Sequence, residues 1–174
     1  FNKTLGLGAA ALALPGCALT DGLPESKPNI IYILADDLGY GEVGCYGQEK
    51  IKTPSIDRIA ANGLRFTQHY SGNTVCAPSR CALRTGKNMG HAYIRGNDEM
   101  KGRGDVWNDP AIEGQRPLPA GTETIATMLK KAGYATGAMG KWGLGGPNDK
   151  GHPNDQGFDE WYGYLCQREA HSYY

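Results

Sequence analysis

The sequence predicts an α/β fold, built on a mostly parallel sheet with helices on both faces. Three observations support this prediction. The apolar run over residues 29–35 is continuous rather than alternating, which is typical of a strand buried on both faces of a sheet. Helix start and stop signals follow between Thr53 and Gly63. Strand and helix patterns then continue to alternate along the chain, which favours a layered α/β arrangement.

The elements that local patterns predict are, in chain order, a strand over 29–35, a helix over 53–63, a strand over 64–70, a helix over 77–84, a helix over 123–131 and a strand over 134–139. Gly63 closes the first helix, and Pro78 is tolerated only in the first turn of the second. Thr122 is predicted to cap the third helix, which ends at Gly133. The glycine-rich segment over 87–121 predicts a long functional loop.

The composition excludes several classes of protein. The 174 residues suit one ordinary domain, and 18 basic residues balance 18 acidic ones. Without a basic surplus or an acidic block, neither nucleic-acid binding nor a charged tail is indicated. Glycine occurs 26 times, which indicates a loop-rich protein whose backbone approaches ligands closely. The absence of an initiating methionine predicts that the sequence is part of a longer protein.

Residues 1–18 predict export. A basic residue followed by an apolar run over 5–14 is typical of a secretory signal peptide that lacks its first residues, and the run is too short to span a bilayer. The residues from Leu14 to Cys17 resemble a bacterial lipobox, in which Cys17 would be acylated. The polar segment 19–27 predicts a tether to a domain over 28–174. We therefore expect an exported protein, either periplasmic or an outer-membrane lipoprotein.

The dozen residues from Val75 to Gly86 carry the strongest indication of chemistry. Cys76 is placed at a helix N-terminus, where unpaired N–H groups and the helix dipole favour an anion. Arg80, four residues on, shares its helix face and can reach the nucleophile or a bound oxyanion. On the residues alone, the alternative is a buried thiol beside a helix cap, with Arg80 in a surface ion pair.

The string Cys-x-Pro-Ser-Arg-x-x-Leu-x-Thr-Gly over 76–86 resembles the signature of the type I sulfatases, which belong to the alkaline phosphatase superfamily. In that family the cysteine is oxidised to formylglycine, so the resemblance implies that Cys76 is the precursor of the nucleophile. One hydroxyl of the hydrated aldehyde would attack sulfur, and the other, once deprotonated, would expel sulfate and regenerate the carbonyl. Turnover then needs no attack of water on sulfur.

Asp36 and Asp37 follow the predicted strand at its carboxyl end, where open α/β sheets bind ligands. Adjacent carboxylates suit a hard divalent cation, although a pair that caps the next turn is the alternative. The sequence Ala-Asp-Asp-Leu-Gly-Tyr-Gly over 35–41 is similar to the calcium-binding opening of sulfatases. The resemblance implies that both aspartates bind calcium, which would also support the modified Cys76. The family's downstream Asp-Asn ligand pair is not present in this sequence.

Lys141 closes the last predicted strand between glycines and suits binding of a sulfate oxygen, although a solvated loop lysine is the alternative. The commoner family form is Gly-Lys-Trp-His-Leu-Gly, and Gly143 replaces its histidine here. We expect His171, which follows a second sulfatase-like segment over 157–164, to supply the missing imidazole and to bind or protonate the ester oxygen. An ordinary surface histidine is the alternative. His91, Arg95 and Asn97, in the long loop, are candidates for lining the substrate pocket or for a solvated surface.

The resemblance covers residues 28–174 and corresponds to the N-terminal part of a sulfatase catalytic domain. It implies a sulfuric ester hydrolase that uses formylglycine and calcium to cleave sulfated glycans or aryl sulfates. A formylglycine-generating or anaerobic maturing enzyme would be its partner. The alternatives are a phosphodiester or phosphonate monoester hydrolase of the same fold, a non-catalytic glycan-binding surface lipoprotein, and a fragment that is inactive by itself.

Overall fold

The structure is a computed structural model that describes residues 27–97, 116–167 and 169–171. The predicted signal peptide and lipobox with Cys17, almost all of the tether and the middle of the long loop lie outside the described residues. The chain divides into two compact units, one up to Arg65 and the other from Phe66. No helix in the described segments is long and apolar enough to cross a bilayer.

The described residues of the first unit form one α-helix, α1 (Pro54–Asn62), and two short 3₁₀ helices, Tyr40–Glu42 and Gly44–Tyr46. Both bounds of α1 confirm the prediction from its proline and glycine signals. Asp57 of α1 accepts hydrogen bonds from the Cys45 N–H at 2.7 Å and from the Thr53 hydroxyl at 3.0 Å. This carboxylate therefore ties the second 3₁₀ helix to the start of α1.

The predictions of strands over residues 29–35 and 64–70 are wrong. Residues 29–35 and 64–70 have no ladder partner in the described parts of the chain, and both are exposed. Ile31 and Ile33, expected in the centre of a sheet, are 84% and 80% exposed. A helix closes its hydrogen bonds within its own segment, whereas a strand exists only where a second strand supplies its partners. An apolar run alone cannot specify that second strand.

The second unit holds the helices α2 (Cys76–Thr85) and α3 (Ile125–Lys131), the strands β1 (Gly137–Lys141) and β2 (Glu160–Tyr164), and a 3₁₀ turn (Glu169–His171). The strands β1 and β2 pair in parallel, with Gly137 opposite Glu160 and Lys141 opposite Tyr164. Parallel pairing needs a long crossover, which residues 142–159 supply. The two α-helices contact each other. Parallel pairing agrees with the predicted fold class.

Local details differ from the prediction in this unit. The N-cap of α3 is Thr124 rather than Thr122, because the Thr124 hydroxyl accepts the Thr127 N–H at 3.1 Å. Thr122 instead donates its hydroxyl to the Pro119 carbonyl at 2.7 Å. β1 extends to Lys141, two residues beyond the predicted strand. β2 was not predicted as a strand, although its Trp and Tyr residues are typical of one.

The core of the second unit surrounds Trp142, which directly follows β1. Trp142 is 2% exposed, meets the Phe158 ring edge-on at 6.0 Å and donates its indole N–H to the Gly151 carbonyl at 2.8 Å. Leu118 and Leu144 are buried beside it and joined by a backbone hydrogen bond of 2.9 Å. A satisfied indole in an apolar cluster anchors the segment that follows β1, and with it the end of the strand that carries Lys141.

Candidate active site

The helix α2 places Cys76 at its first position, as the sequence predicts. Val75, the N-cap, is extended, and Gly86 ends the helix in the left-handed conformation at φ +67°. Pro78 lies in the first turn, where its missing N–H costs nothing. Cys76 is half-buried, and its thiol is not in a disulfide. A half-buried sulfur at a helix start is open to modification and to a ligand.

Lys141 lies beside this sulfur. Its ammonium donates to the Cys76 Sγ at 3.6 Å, across 65 residues of sequence. Lys141 is the last residue of β1, so the strand end and the helix start converge here. The two residues that carry separate motifs in the sequence therefore meet at one point in the structure, within the same unit.

Arg80 joins the same two elements. Its side chain is buried, and its Nη1 donates a hydrogen bond to the backbone carbonyl of Lys141. The guanidinium thus fixes α2 to the end of β1, and Arg80 lies one helical turn from Cys76 on the same helix. Arg84, one turn further on, lies instead over the Trp142 and Phe158 rings, at 5.7 Å and 5.4 Å from their centroids. Only the first of these arginines faces the candidate site.

Asn97 has a role that the sequence did not predict. Its Oδ1 accepts the Ala77 N–H at 2.8 Å and so caps α2 from the loop twenty residues away. Because Pro78 has no N–H, two of the first-turn positions offer no donor to an anion. The positive charge at the site therefore comes mainly from Lys141 and Arg80 rather than from the helix terminus. No local signal marks this cap, since it depends on how the loop returns.

The surroundings of position 143 favour the glycine that stands there in place of the histidine of the commoner family form. Its φ is +76°, and a Cβ built on it would lie 3.2 Å from the Gln167 Oε1. Gln167 is 6% exposed, and its Oε1 has no hydrogen-bond partner among the described residues. The left-handed backbone and the nearby Gln167 side chain thus both favour glycine over a larger residue at this position.

His171 is not joined to these residues by any described contact. It ends the 3₁₀ turn Glu169–His171, is exposed, and makes no hydrogen bond or ion pair with another described residue. His91 and Arg95 lie further along the loop after α2, where both line a cavity. The role of His171 as proton donor therefore stays a prediction.

Asp36 and Asp37 belong to the first unit, where both are exposed in a turn after residue 35. Asp37 has a left-handed backbone, φ +56°, which aspartate tolerates better than most residues. Carboxylate oxygens are the donors that calcium takes, but calcium needs six to eight of them. The described residues contain no cluster of three or more His, Cys, Asp or Glu side chains that could hold a metal ion. Asp36 and Asp37 therefore offer the type of ligand that calcium binds, but they are too few to complete its coordination.

The second unit therefore holds a compact cationic arrangement around one thiol. Cys76 provides a nucleophilic position, and Lys141 and Arg80 provide charge that can neutralise an anionic ester. Such an arrangement suits transfer of a sulfuryl or phosphoryl group better than chemistry on a neutral substrate.

Comparison with known proteins agrees with this arrangement. A family model described as Sulfatase matches residues 28–173. The chain is 43% identical to human arylsulfatase D over 143 residues, which cover 79% of this chain and 23% of that protein. It is 41% identical over 171 residues to the N-acetylgalactosamine-6-O-sulfatase of Bacteroides thetaiotaomicron, covering 84% of this chain and 30% of that protein.

Solved structures show the same relationship. The crystal structure of Ps i-CgsB in complex with k-i-k-neocarrahexaose aligns with a TM-score of 0.66 and 39% identity, over 81% of this chain and 29% of that one. This confirms the predicted α/β fold. The chain spans between 23% and 30% of the length of these relatives.

Proposed function

Because this chain belongs to the sulfatase family, we propose that the protein is a sulfuric ester hydrolase that acts on sulfated glycans. The observation that carries the proposal is the contact between Lys141 and Cys76, 3.6 Å from ammonium to sulfur. A sulfate ester builds negative charge on its oxygens as it reacts, so a nucleophilic position needs a fixed cation beside it.

The chain's own residues fill the binding part of this mechanism. Lys141 is held at the end of β1 by strand pairing, and Arg80 anchors its carbonyl to α2. Both charges are therefore positioned before substrate arrives, which lowers the cost of organising them during reaction. Asn97 fixes the start of α2 and so the direction of Cys76. These contacts orient the nucleophilic position and neutralise the sulfate group.

Formylglycine made from Cys76 by a maturing enzyme would supply the attacking hydroxyl. The surroundings of Cys76 fit that role, since its thiol is half-buried, is not in a disulfide and lies at a helix start beside a lysine. Asp36 and Asp37 are the residues that would hold calcium, together with ligands from elsewhere in the protein. We assign protonation of the leaving oxygen to His171, because Gly143 supplies no imidazole at the usual place.

The substrate class follows from the relatives. One of them is named as an N-acetylgalactosamine-6-O-sulfatase, and another was solved with a neocarrahexaose bound. Both names describe carbohydrates, and the predicted export of this protein agrees with a glycan substrate outside the cytoplasm. We therefore propose that the preferred substrate carries its sulfate ester on a glycan, and that a small aryl sulfate serves as a model substrate.

The test uses the full-length protein produced with a maturing enzyme. We expect hydrolysis of sulfated glycans and 4-nitrophenyl sulfate, and an aldehyde at position 76 by mass spectrometry of the tryptic peptide. Cys76→Ala should abolish turnover, and Lys141→Met should lower kcat/KM by about a hundredfold or more, a size typical of losing a charge-stabilising donor. Lys50→Met, an exposed lysine in the other unit, is the matched control and should leave turnover unchanged.

Three results would contradict parts of this proposal. A strong preference for phosphate esters would make the protein a phosphoesterase of the same fold. An unmodified thiol and no turnover with any ester would indicate a glycan-binding protein. Turnover near the wild-type value in His171→Ala would remove the assignment of His171 while leaving the hydrolase activity in place.

A further inference from the structure

A cavity of about 500 Å³ lies in the second unit, alongside the loop that follows α2. This volume is within the range of sites that bind small organic ligands, roughly 300–1,000 Å³. Thr85, at the end of α2, lines one part of the cavity, and Gly96 lines another. The mechanism proposed above does not use it.

The described lining carries positive charge without any carboxylate. Lys87, Arg95 and Arg116 contribute to it, His91 adds an imidazole, and no Asp or Glu is among the described residues that line it. A concave surface with one sign of charge concentrates ligands of the opposite sign. In a chain whose basic and acidic residues balance overall, this local excess points to an anionic ligand.

The Arg95 guanidinium is fixed by the loop backbone. Arg95 donates from Nε to the Ala92 carbonyl at 2.9 Å and from Nη2 to the Gly90 carbonyl at 3.0 Å. These bonds use two of its five N–H donors, so others are available to a ligand. Asn88 Oδ1 accepts the Gly90 N–H at 2.9 Å and lies 3.1 Å from the His91 Nδ1. Because an amide oxygen only accepts, Nδ1 carries the proton in this pair.

The lining also offers an aromatic surface. Tyr93 is 54% exposed, whereas its neighbours Ala92 and Ile94 are each 1% exposed. The buried neighbours hold the backbone, and the ring stands out beside the cations. An amphipathic ring next to positive charge suits a sugar that carries a sulfate or carboxylate group, since the ring meets C–H groups and the cations meet the anion.

The cavity adjoins the candidate active site through its lining loop. Gly96 lines the cavity, and the next residue, Asn97, accepts the hydrogen bond of Ala77, the neighbour of Cys76. The other end of the lining, at Thr85, lies a helix length from Cys76, about 15 Å for ten residues. A ligand that filled the cavity and reached Cys76 would therefore be an extended oligosaccharide.

We propose that this cavity is an accessory subsite for a sulfated or carboxylated sugar residue that neighbours the residue whose ester is cleaved. The proposal rests on the proposed function, because it takes Cys76 as the point of cleavage. Lys87 and Arg95 bind the anion, and Tyr93 packs on the sugar ring. The subsite gives long anionic glycans an advantage over single sugars.

The experiment measures equilibrium binding by calorimetry to the Cys76→Ala variant of the full-length protein, so that no probe is consumed. The probes are N-acetylgalactosamine 6-sulfate and a chondroitin 6-sulfate tetrasaccharide. We expect the tetrasaccharide to bind more tightly than the monosaccharide. Adding Lys87→Gln or Tyr93→Ala should weaken tetrasaccharide binding about fivefold to tenfold and leave monosaccharide binding unchanged. Both side chains are exposed, so neither change threatens folding.

Lys50→Gln is the matched control, an exposed lysine outside the lining. The proposal is overturned if the tetrasaccharide binds no better than the monosaccharide. It is also overturned if Lys87→Gln and Tyr93→Ala weaken binding no more than Lys50→Gln does. A matured wild-type protein that binds the tetrasaccharide through this cavity but hydrolyses no sulfate ester would contradict the proposed function and not the subsite.

Discussion

The two units of the chain differ in the burial of their apolar residues. Among residues 27–65, Val43 is the only buried residue, while the apolar run over 30–34 is largely exposed. In the second unit, Trp142 and Leu144 are buried in one apolar cluster. Helices nevertheless form in both units, since a helix satisfies its own backbone hydrogen bonds. Strands and a core form only where distant segments meet.

The candidate active site follows the same division. The contact that defines it, between Lys141 and Cys76, lies in the unit with the core, where Trp142 anchors the chain directly after Lys141. A catalytic cation needs a fixed position, and packing supplies it. The predictions below test this contrast between a packed unit and an exposed one, from the largest expected effect to the smallest.

The largest effect is expected in the core. Trp142→Ala should lower the free energy of unfolding by about 3–5 kcal/mol, because it leaves a cavity and an unpaired carbonyl at Gly151. Urea denaturation followed by circular dichroism measures this. Tyr162→Ala, on an 81% exposed ring of β2, is the control and should stay within about 0.5 kcal/mol. Equal costs for the two variants would mean that the core is not centred on Trp142.

The second effect concerns the close approach at Gly143. Gly143→Ala should cost about 1–2 kcal/mol for the left-handed backbone, plus the contact with Gln167. Gly86→Ala is the control, because its φ of +67° is similar and no atom lies within 4 Å of the added Cβ. Gly86→Ala should lower the free energy of unfolding by the cost of the left-handed backbone alone.

A double-mutant cycle isolates the contact itself. In a Gln167→Ala background, Gly143→Ala should cost about 0.5–1 kcal/mol less than in the wild type, because the obstructing side chain is gone. Denaturation of the four proteins under one set of conditions gives the coupling energy. A coupling energy of zero would show that Gln167 does not fill the space beside Gly143.

The sequence predicted the fold class and two of the helices, and it pointed to three residues that lie together in the candidate site. The motifs around Cys76, Arg80 and Lys141, together with the family resemblance, pointed to these residues, and the structure brings all three together. Local signals also gave α1 and α2, because caps, prolines and closing glycines act within a few residues. The paired aspartates and His171 were identified only by position and resemblance, and their roles stay predictions.

The errors in the sequence-based predictions have one physical origin. Each feature that was missed depends on contacts with residues that are distant in the sequence. The run over 29–35 reads as a buried strand only if a neighbour pairs with it, and local pattern cannot show whether one does. The cap by Asn97 and the obstruction by Gln167 likewise depend on where loops return. Even the N-cap of α3 was misplaced, because Thr122 and Thr124 are equivalent by residue type and differ only in their contacts.

A smaller effect is expected where α3 meets the start of β2. Lys130 pairs with Asp159 at 2.5 Å, and the Thr136 N–H and hydroxyl donate to the same carboxylate. These hydrogen bonds, that of Lys130 first, lower the pKa of Asp159 from 3.8 to about 2. A lowered pKa means that the ionised form stabilises the fold. The stabilisation is present above pH 3.8 and is lost as the pH falls through about 2.

The urea midpoint measured from pH 5 to pH 2 checks this linkage. Asp159→Asn should be less stable than the wild type at pH 5, and the difference should shrink towards pH 2. Comparison of the two proteins cancels the acid sensitivity of the other carboxylates. A constant difference across this range would show that Asp159 does not titrate with a lowered pKa.

The smallest effect on the free energy of unfolding is expected in the first unit. This prediction is the most decisive test of the contrast between a packed unit and an exposed one. Ile33→Ser in the 174-residue chain should change the free energy of unfolding by less than about 0.5 kcal/mol, because Ile33 is 80% exposed. Ile94→Ser, at a site 1% exposed in the other unit, should cost about 3 kcal/mol or more. Similar costs at the two positions would mean that residues 29–35 are buried after all, as their apolar pattern indicates. The same substitution in the full-length protein sharpens the comparison, since a large cost there alone would show that this segment pairs with a strand outside the described residues.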